Sequence, residues 1–147
     1  MTQKTVAIGC DHAGYELKLI IIKFLNDNGY KVIDFGANSS DSVDYPDYAH
    51  PLAISIENGD ADLGITICGS GNGISMTVNK HQGIRSALCW MPEISRLARA
   101  HNDANVCSLP ARFINYNEAI LIVKNFLNTK FDGGRHISRI NKIPINC

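Results

Sequence analysis

Residues Leu63 to Gly73, LGITICGSGNG, form the segment that decides the fold. Leu63 to Cys68 is a short run of mostly apolar and β-branched residues, which predicts a buried strand. The next five residues are three glycines and two small polar residues, and they lead into a predicted short helix from Gly73 to about Asn79. A strand, a tight turn and a helix in this order indicate an α/β protein.

The same alternation continues on both sides of this segment. Short apolar runs predict strands, and longer stretches with an apolar stripe at helical spacing predict helices. The predicted strands are residues 5–9, 31–35, 63–68, 86–88 and 105–109, and the predicted helices are residues 15–27, 46–58, 73–79, 91–100 and 117–128, with a final helix from His136 onward. We therefore predict a three-layer α/β/α, Rossmann-like fold with a five-stranded parallel sheet and a C-terminal helical tail, in one domain over residues 1–147.

The composition excludes several classes of partner. The 147 residues include 14 Lys and Arg against 14 Asp and Glu, so the formal net charge is zero and there is no general field to attract nucleic acid or anionic membranes. No apolar run approaches the roughly 20 residues that a membrane helix requires. The five cysteines include no C-x-x-C pair and follow no signal peptide, which favours a reducing cytoplasm.

Polar residues follow the first three predicted strands. They are Cys10 to His12, Ser39 to Asp44, and Cys68 to Gly73. In open parallel sheets, ligands bind at the carboxyl ends of the strands. If the first and third strands are neighbours, Asp11 and His12 lie beside the glycine-rich turn and form a ligand site with it.

The glycine-rich turn does not match three well-known motifs. It lacks the Lys of a P-loop, the third glycine of a dinucleotide fingerprint and the Arg that a cysteine phosphatase would need in place of Ile74. Its backbone amides could face a phosphate or an enediolate, or the glycines could only permit a tight turn. Cys68 faces a helix start that favours the thiolate, although a small buried hydrophobic role is the alternative.

Two further groups carry charge that could act on a ligand. His101 ends a predicted helix, whose dipole favours a protonated imidazole that can act as an acid; the alternative is a simple helix cap. Arg135 and Arg139 are four residues apart and share a helix face, which would make a phosphate clamp or a solvated basic surface. Arg112, just after the last predicted strand, is another candidate.

These segments together closely resemble type B ribose-5-phosphate isomerase, a family that also contains allose-6-phosphate and galactose-6-phosphate isomerases. The resemblance spans the whole chain. It is carried by Gly9 to Gly14 (GCDHAG), Asp44 to Ala49 (DYPDYA), Ile67 to Ser75 (ICGSGNGIS), Asn79-Lys80, Gly83 to Arg85 (GIR), His101 to Asn105 (HNDAN) and Gly133 to His136 (GGRH).

The resemblance implies a role for each matching residue. Cys68 abstracts the proton next to the sugar carbonyl, His101 assists ring opening, and Ser70, where many members have Thr, shuttles a proton between the two oxygens. The remaining implied contacts are the amides of Gly69, Ser70, Gly71, Asn72 and Gly73 to the enediolate, Asp11 and Asn102 to sugar hydroxyls, Tyr45 to the pocket wall, and His12, Arg112, Arg135 and Arg139 to the phosphate. Another branch of the family has a glutamate base at the position of Ile74 and lacks the cysteine. With Cys68 and an apolar Ile74, this chain resembles the cysteine branch.

The implied activity is a metal-free and cofactor-free interconversion of ribose 5-phosphate and ribulose 5-phosphate through a cis-enediol. The resemblance also implies a homodimer or a dimer of dimers with the active site at the subunit interface and His101 supplied by the partner. Three alternatives stay open on the sequence: an isomerase of a hexose 6-phosphate, a non-catalytic sugar-phosphate sensor, and a subunit active only in a hetero-oligomer.

Overall fold

A computed structural model describes residues 3–145 of the chain. Its strands β1 to β5 are Thr5–Cys10, Lys31–Asp34, Leu63–Cys68, Ser86–Leu88 and Val106–Pro110. Its helices α1 to α6 are Tyr15–Asp27, Pro46–Glu57, Asn72–Val78, Pro92–Asn102, Tyr116–Asn128 and Arg135–Ile140, and one turn of 3-10 helix covers His12–Gly14. The predicted strands and helices are therefore confirmed, with shifts of one or two residues at several ends.

The strands form one parallel sheet in the order β2-β1-β3-β5-β4. Cys10 pairs with Ile67, and Cys68 pairs with Pro110, so β1, β3 and β5 end at the same edge. The chain runs from β1 outward to β2 on one side; on the other side it runs from β3 to the outermost strand β4 and returns to β5 between them. A crevice consequently opens above β1 and β3, which is where such sheets bind ligands.

Two hydrophobic cores cover the two faces of the sheet, because successive side chains of a strand point to opposite sides. Val6 and Ile8 pack in the core formed with α1 and α5, whereas Ala7 packs in the core formed with α2 and α3. All six residues of β3 are buried, as its continuous apolar run predicts. The predicted three-layer α/β/α architecture is confirmed.

Two local features differ from the sequence prediction. Asp11 Oδ1 accepts hydrogen bonds from the amides of Ala13 at 2.9 Å and Gly14 at 3.2 Å, which closes the unpredicted 3-10 turn. The prediction of a helix from His136 onward is wrong beyond Ile140, where α6 ends. Pro144 disfavours the helical conformation of the residue before it, and the chain makes turns instead.

Four cysteines in the described part of the chain are free and buried: Cys10, Cys68, Cys89 and Cys107. Cys147 lies outside the described residues. Between residues 3 and 145, none of the helices combines the length and the apolar character needed to cross a bilayer.

Burial raises the pKa of the Cys10 thiol from its ordinary value of 9.0 to about 11. Between these values the unfolded chain loses this proton while the folded protein keeps it, so the contribution of Cys10 to stability is complete below about pH 9 and is lost toward about pH 11. We expect the urea midpoint of the wild type to fall more steeply over this range than that of Cys10→Ala. The pKa of Cys107 is also raised, by burial and by Cys89, but Cys107 is present in both proteins and its contribution to the difference between them cancels. Parallel slopes for the two proteins would contradict this assignment.

Candidate active site

A cavity of about 680 Å³ opens at the carboxyl ends of β1 and β3. Its walls come from the segments that follow β1, β2, β3 and β5. The lining residues are Asp11, His12, Ala13, Ser42, Val43, Asp44, Tyr45, Pro46, Asp47, Gly69 and Arg112. The cavity is thus polar, and its lining includes three carboxylates and the Arg112 guanidinium.

Cys68 is the last residue of β3 and lies next to the cavity wall at Gly69, with 4% of its surface exposed. The amide of Gly71 donates a hydrogen bond to its Sγ at 3.1 Å, so a backbone dipole faces the sulfur. Gly71 directly precedes α3 and has a φ of +76°, a backbone conformation that residues with a side chain rarely adopt. A Cβ there would also lie 3.1 Å from the carbonyl carbon of Leu109, so the thiol contact depends on glycine.

The amides of the turn are not all available to a ligand. Gly71 donates to Cys68, and the amide of Asn72 donates to Ser70 Oγ at 3.3 Å. Among residues 3–145, the amides of Gly69, Ser70 and Gly73 have no acceptor. Of the five amides from Gly69 to Gly73 that the sequence analysis assigned to the enediolate oxygens, these three are therefore free to donate to a ligand.

Asp11 and His12 lie beside this turn, as the adjacency of β1 and β3 predicts. The amide of Asp11 donates to Ile67 O at 3.1 Å, which ties the end of β1 to the end of β3. His12 Nδ1 accepts a hydrogen bond from the amide of Val43 at 3.2 Å. Since a backbone amide can only donate, neutral His12 carries its proton on Nε2, which is then a donor to a ligand.

Tyr45 and Arg112 close the cavity against the glycines. The Tyr45 hydroxyl lies 2.7 Å from the position that a Cβ on Gly73 would occupy, so any side chain there would displace the ring. The amide of Arg112 donates to Gly69 O at 3.0 Å, and a guanidinium nitrogen of Arg112 lies 3.2 Å from the Cβ position of Gly69. Both side chains contact the turn at glycines because only glycine leaves them room.

His101 and Asn102 lie at the amino ends of the strands, on the side of the sheet away from the cavity. α4 returns against the strand direction and ends at Asn102, whose carbonyl accepts a hydrogen bond from Arg85 Nε at 3.1 Å. Arg85 immediately precedes β4 and therefore marks its amino end. Cys68 pairs with Pro110 at the other end of β5, a strand of five residues that spans roughly 13 Å.

The arginine pair lies with His101 and not with the cavity. Arg135 and Arg139 are one turn apart on α6, as predicted, and His136 between them stacks on His101 with ring centroids 4.4 Å apart. The amide of Asp132 donates to Ala100 O at 2.9 Å, which fixes this segment to the end of α4. Burial, the neighbouring His101 and the two arginines lower the pKa of His136. The predicted site residues thus form two groups at opposite edges of one chain.

Three potential metal ligands lie close together around His101, which the spacing of the histidines along the sequence did not indicate. One ligand atom each from His101, Asp132 and His136 lies within 4.8 Å of the other two. The two imidazole planes are nearly parallel, at 13°, whereas a shared metal must lie in the plane of each ring. One ring would have to rotate before both could bind one ion.

Sequence reasoning also missed several cavity residues. Ser42, Val43 and Asp47 line the cavity; they lie in segments that the sequence analysis named but were not assigned individually, and Val43 contributes through its backbone amide, which no residue type reveals. The position of their segment directly after β2 was the available signal. His136 and Asp132 beside His101 had a weaker signal, the GGRH motif alone.

A parallel α/β sheet, a polar cavity at its switch point and a thiol held by a backbone amide define an enzyme that acts on a small polar ligand. The model of the Ribose/Galactose Isomerase family matches residues 6–143. The chain belongs to this family and is an isomerase, which confirms the resemblance stated above.

Known relatives cover nearly the whole chain. Ribose-5-phosphate isomerase B of Escherichia coli strain K12 is 43% identical over 140 residues, covering 95% of this chain and 94% of the relative. A ribose 5-phosphate isomerase structure from Thermotoga maritima has a TM-score of 0.95 with 48% identity, covering 97% of this chain and 99% of its own. The Mycoplasma genitalium ribose-5-phosphate isomerase B structure with bound ribulose-5-phosphate has a TM-score of 0.92 with 42% identity, covering 97% and 95%.

Proposed function

We propose that this isomerase interconverts ribose 5-phosphate and ribulose 5-phosphate, with Cys68 as the base. The observation that carries the proposal is the 3.1 Å hydrogen bond from the Gly71 amide to Cys68 Sγ at the wall of the polar cavity. A backbone N–H that donates to the sulfur orients it at the cavity wall, where a base must stand. The relatives named ribose-5-phosphate isomerase B indicate the substrate.

The chemistry is a proton transfer between two neighbouring carbons. The Cys68 thiolate takes the proton from the carbon next to the carbonyl, the electron pair of that C–H bond forms a double bond between the two carbons, and the C=O π pair moves onto the carbonyl oxygen to give a cis-enediolate. The free amides of Gly69, Ser70 and Gly73 donate to the enediolate oxygens, where negative charge develops. Ser70 Oγ moves a proton from one oxygen to the other, and Cys68 returns its proton to the second carbon. The sum is an isomerisation that needs no cofactor.

The phosphate and the sugar hydroxyls bind to groups around this centre. His12 Nε2–H and the Arg112 guanidinium face the cavity and bind the phosphate, and Asp11 binds a hydroxyl. One oxygen of Asp11 already caps the 3-10 turn, so this carboxylate is held in place before the sugar arrives. Tyr45 forms part of the wall beside Gly73.

A second copy of the chain completes the site. His101, Asn102, Arg135 and Arg139 cannot reach Cys68 of their own chain, because the sheet separates the two groups. Apolar side chains near the cavity edge are exposed, with Trp90 at 54% and Phe113 at 76%, and a copy packed there would cover them. In this homodimer, or dimer of dimers, the partner's His101 assists ring opening and its two arginines complete the phosphate clamp.

The domain and the localisation are assigned from the packing of the cores and the state of the cysteines. We assign the chain to one domain, as predicted for residues 1–147, because in the described residues 3–145 both cores pack on a single sheet. Four free buried thiols suit the reducing cytoplasm.

Steady-state kinetics on two sugars test the proposal. We expect a higher kcat/KM for ribose 5-phosphate than for allose 6-phosphate with the purified chain alone. A preference for the six-carbon sugar would overturn the substrate assignment. Binding without turnover of either sugar would indicate a sensor, and activity only after addition of another subunit would indicate a hetero-oligomer.

A further inference from the structure

Lys18 is a buried cation in the first turn of α1, and the proposed mechanism does not use it. Only 1% of its surface is exposed. Its Nζ donates to both carboxylate oxygens of Asp34, at 2.8 and 2.9 Å, and to the carbonyl of Ala37 at 2.6 Å. All three ammonium protons therefore have acceptors, which a buried charge requires.

The acceptors of Lys18 lie where the chain leaves β2 and enters the wall of the cavity. Asp34 Oδ1 also accepts a hydrogen bond from the amide of Gly36 at 2.9 Å. Gly36 O accepts from the amide of Cys10 at 2.7 Å, and the amide of Ala37 donates to Cys10 O at 2.9 Å. Lys18 thus holds the exit of β2 against the last residue of β1, immediately before Asp11.

The segment that follows, residues 38–45, has few contacts of its own. Most of its residues are exposed; the Val43 side chain packs against the core, and the Val43 amide donates to His12 Nδ1 at 3.2 Å. The same segment ends at Tyr45, which packs on Gly73. The path of the exposed residues between Ala37 and Val43 therefore depends on how firmly the residue that follows Ala37 is held.

We infer that Lys18 is a positioning residue for substrate binding: through Ala37 and Asp34 it sets the place of segment 38–45, and hence of His12 and Tyr45. The stem of Lys18 is buried, and its ammonium alone makes the hydrogen bonds to Asp34 and Ala37. The charge and the packing of this side chain can therefore be separated by substitution. The functional part of this inference rests on the proposed isomerase activity.

The test is Lys18→Met, which keeps the length of the stem and removes the ammonium. We expect KM for ribose 5-phosphate to rise about tenfold or more while kcat changes less than about threefold, since one charge-assisted contact to a binding segment is lost and Cys68 is untouched. The matched control is Lys23→Met on the same helix, because Lys23 is 77% exposed and contacts only Asp27 at the surface. It should leave KM unchanged.

Hydrogen exchange of the Val43 amide reads the positioning without turnover. It should become at least about tenfold faster in Lys18→Met and stay unchanged in Lys23→Met. A folded Lys18→Met with unchanged KM, or with unchanged exchange at Val43, overturns the inference. If Lys18→Met does not fold, Asp34→Asn replaces it, because the Asp34 side chain is 37% exposed; an unchanged KM in that variant is equally contrary. Wild-type protein inactive on ribose 5-phosphate would refute the proposed function, whereas the exchange measurement would still test the positioning.

Discussion

Cys68→Ala is expected to lower kcat for ribose 5-phosphate by about a thousandfold or more, within the range that a positioned base contributes, with little change in KM. The substitution removes the only atom that accepts the sugar proton in the proposed mechanism. The phosphate and hydroxyl contacts at His12, Arg112 and Asp11 stay, so substrate should still bind. Alanine is also compatible with a position that is 4% exposed and belongs to an apolar cluster.

Proton exchange measures this loss directly. Incubation of the sugar phosphate in D2O with wild-type enzyme should place deuterium at the reacting carbon, and NMR should detect none with Cys68→Ala. Cys89→Ala is the matched control, because Cys89 is also a free buried thiol near the end of a strand but is not beside the cavity. Turnover of Cys68→Ala at the wild-type rate would show that the base is assigned wrongly.

The second large effect is restoration of activity by combining two inactive chains. Cys68→Ala and His101→Ala should each be severely impaired as homodimers. A heterodimer of the two contains one site with both native residues, Cys68 from one chain and His101 from the other. In a symmetric dimer with shared sites, the purified heterodimer should regain about half of the wild-type kcat.

The reciprocal heterodimer provides the control. Wild-type chain paired with a Cys68→Ala/His101→Ala chain has no site with both native residues if the sites are shared, so it should be impaired. Two affinity tags on coexpressed chains would isolate each heterodimer. If the wild-type/double-variant pair is half active and the first pair is inactive, both residues act within one chain and the shared site is wrong.

Local pattern was sufficient for most of the fold. The continuous apolar run of Leu63–Cys68 predicts a buried strand because parallel strands are covered on both faces, and its bounds agree with the structure. The stripe in Tyr15–Asp27 likewise predicts a helix that covers the sheet. Two features were not predicted. The end of α6 at Ile140 is followed by a segment that contains Pro144, and the 3-10 turn at His12 depends on one carboxylate oxygen of Asp11.

The sequence by itself determined which strands are followed by polar candidate residues, where the glycine-rich turn lies and which family the chain resembles. These features depend on residues that are close together in the chain. Only the tertiary structure decided which residues share a site. α4 runs against the strands, so it carries His101 to the edge away from Cys68, and packing over long sequence distances brings Lys18 to Ala37 and His136 to His101. Such distances follow from how whole helices pack on the sheet, which no local pattern encodes.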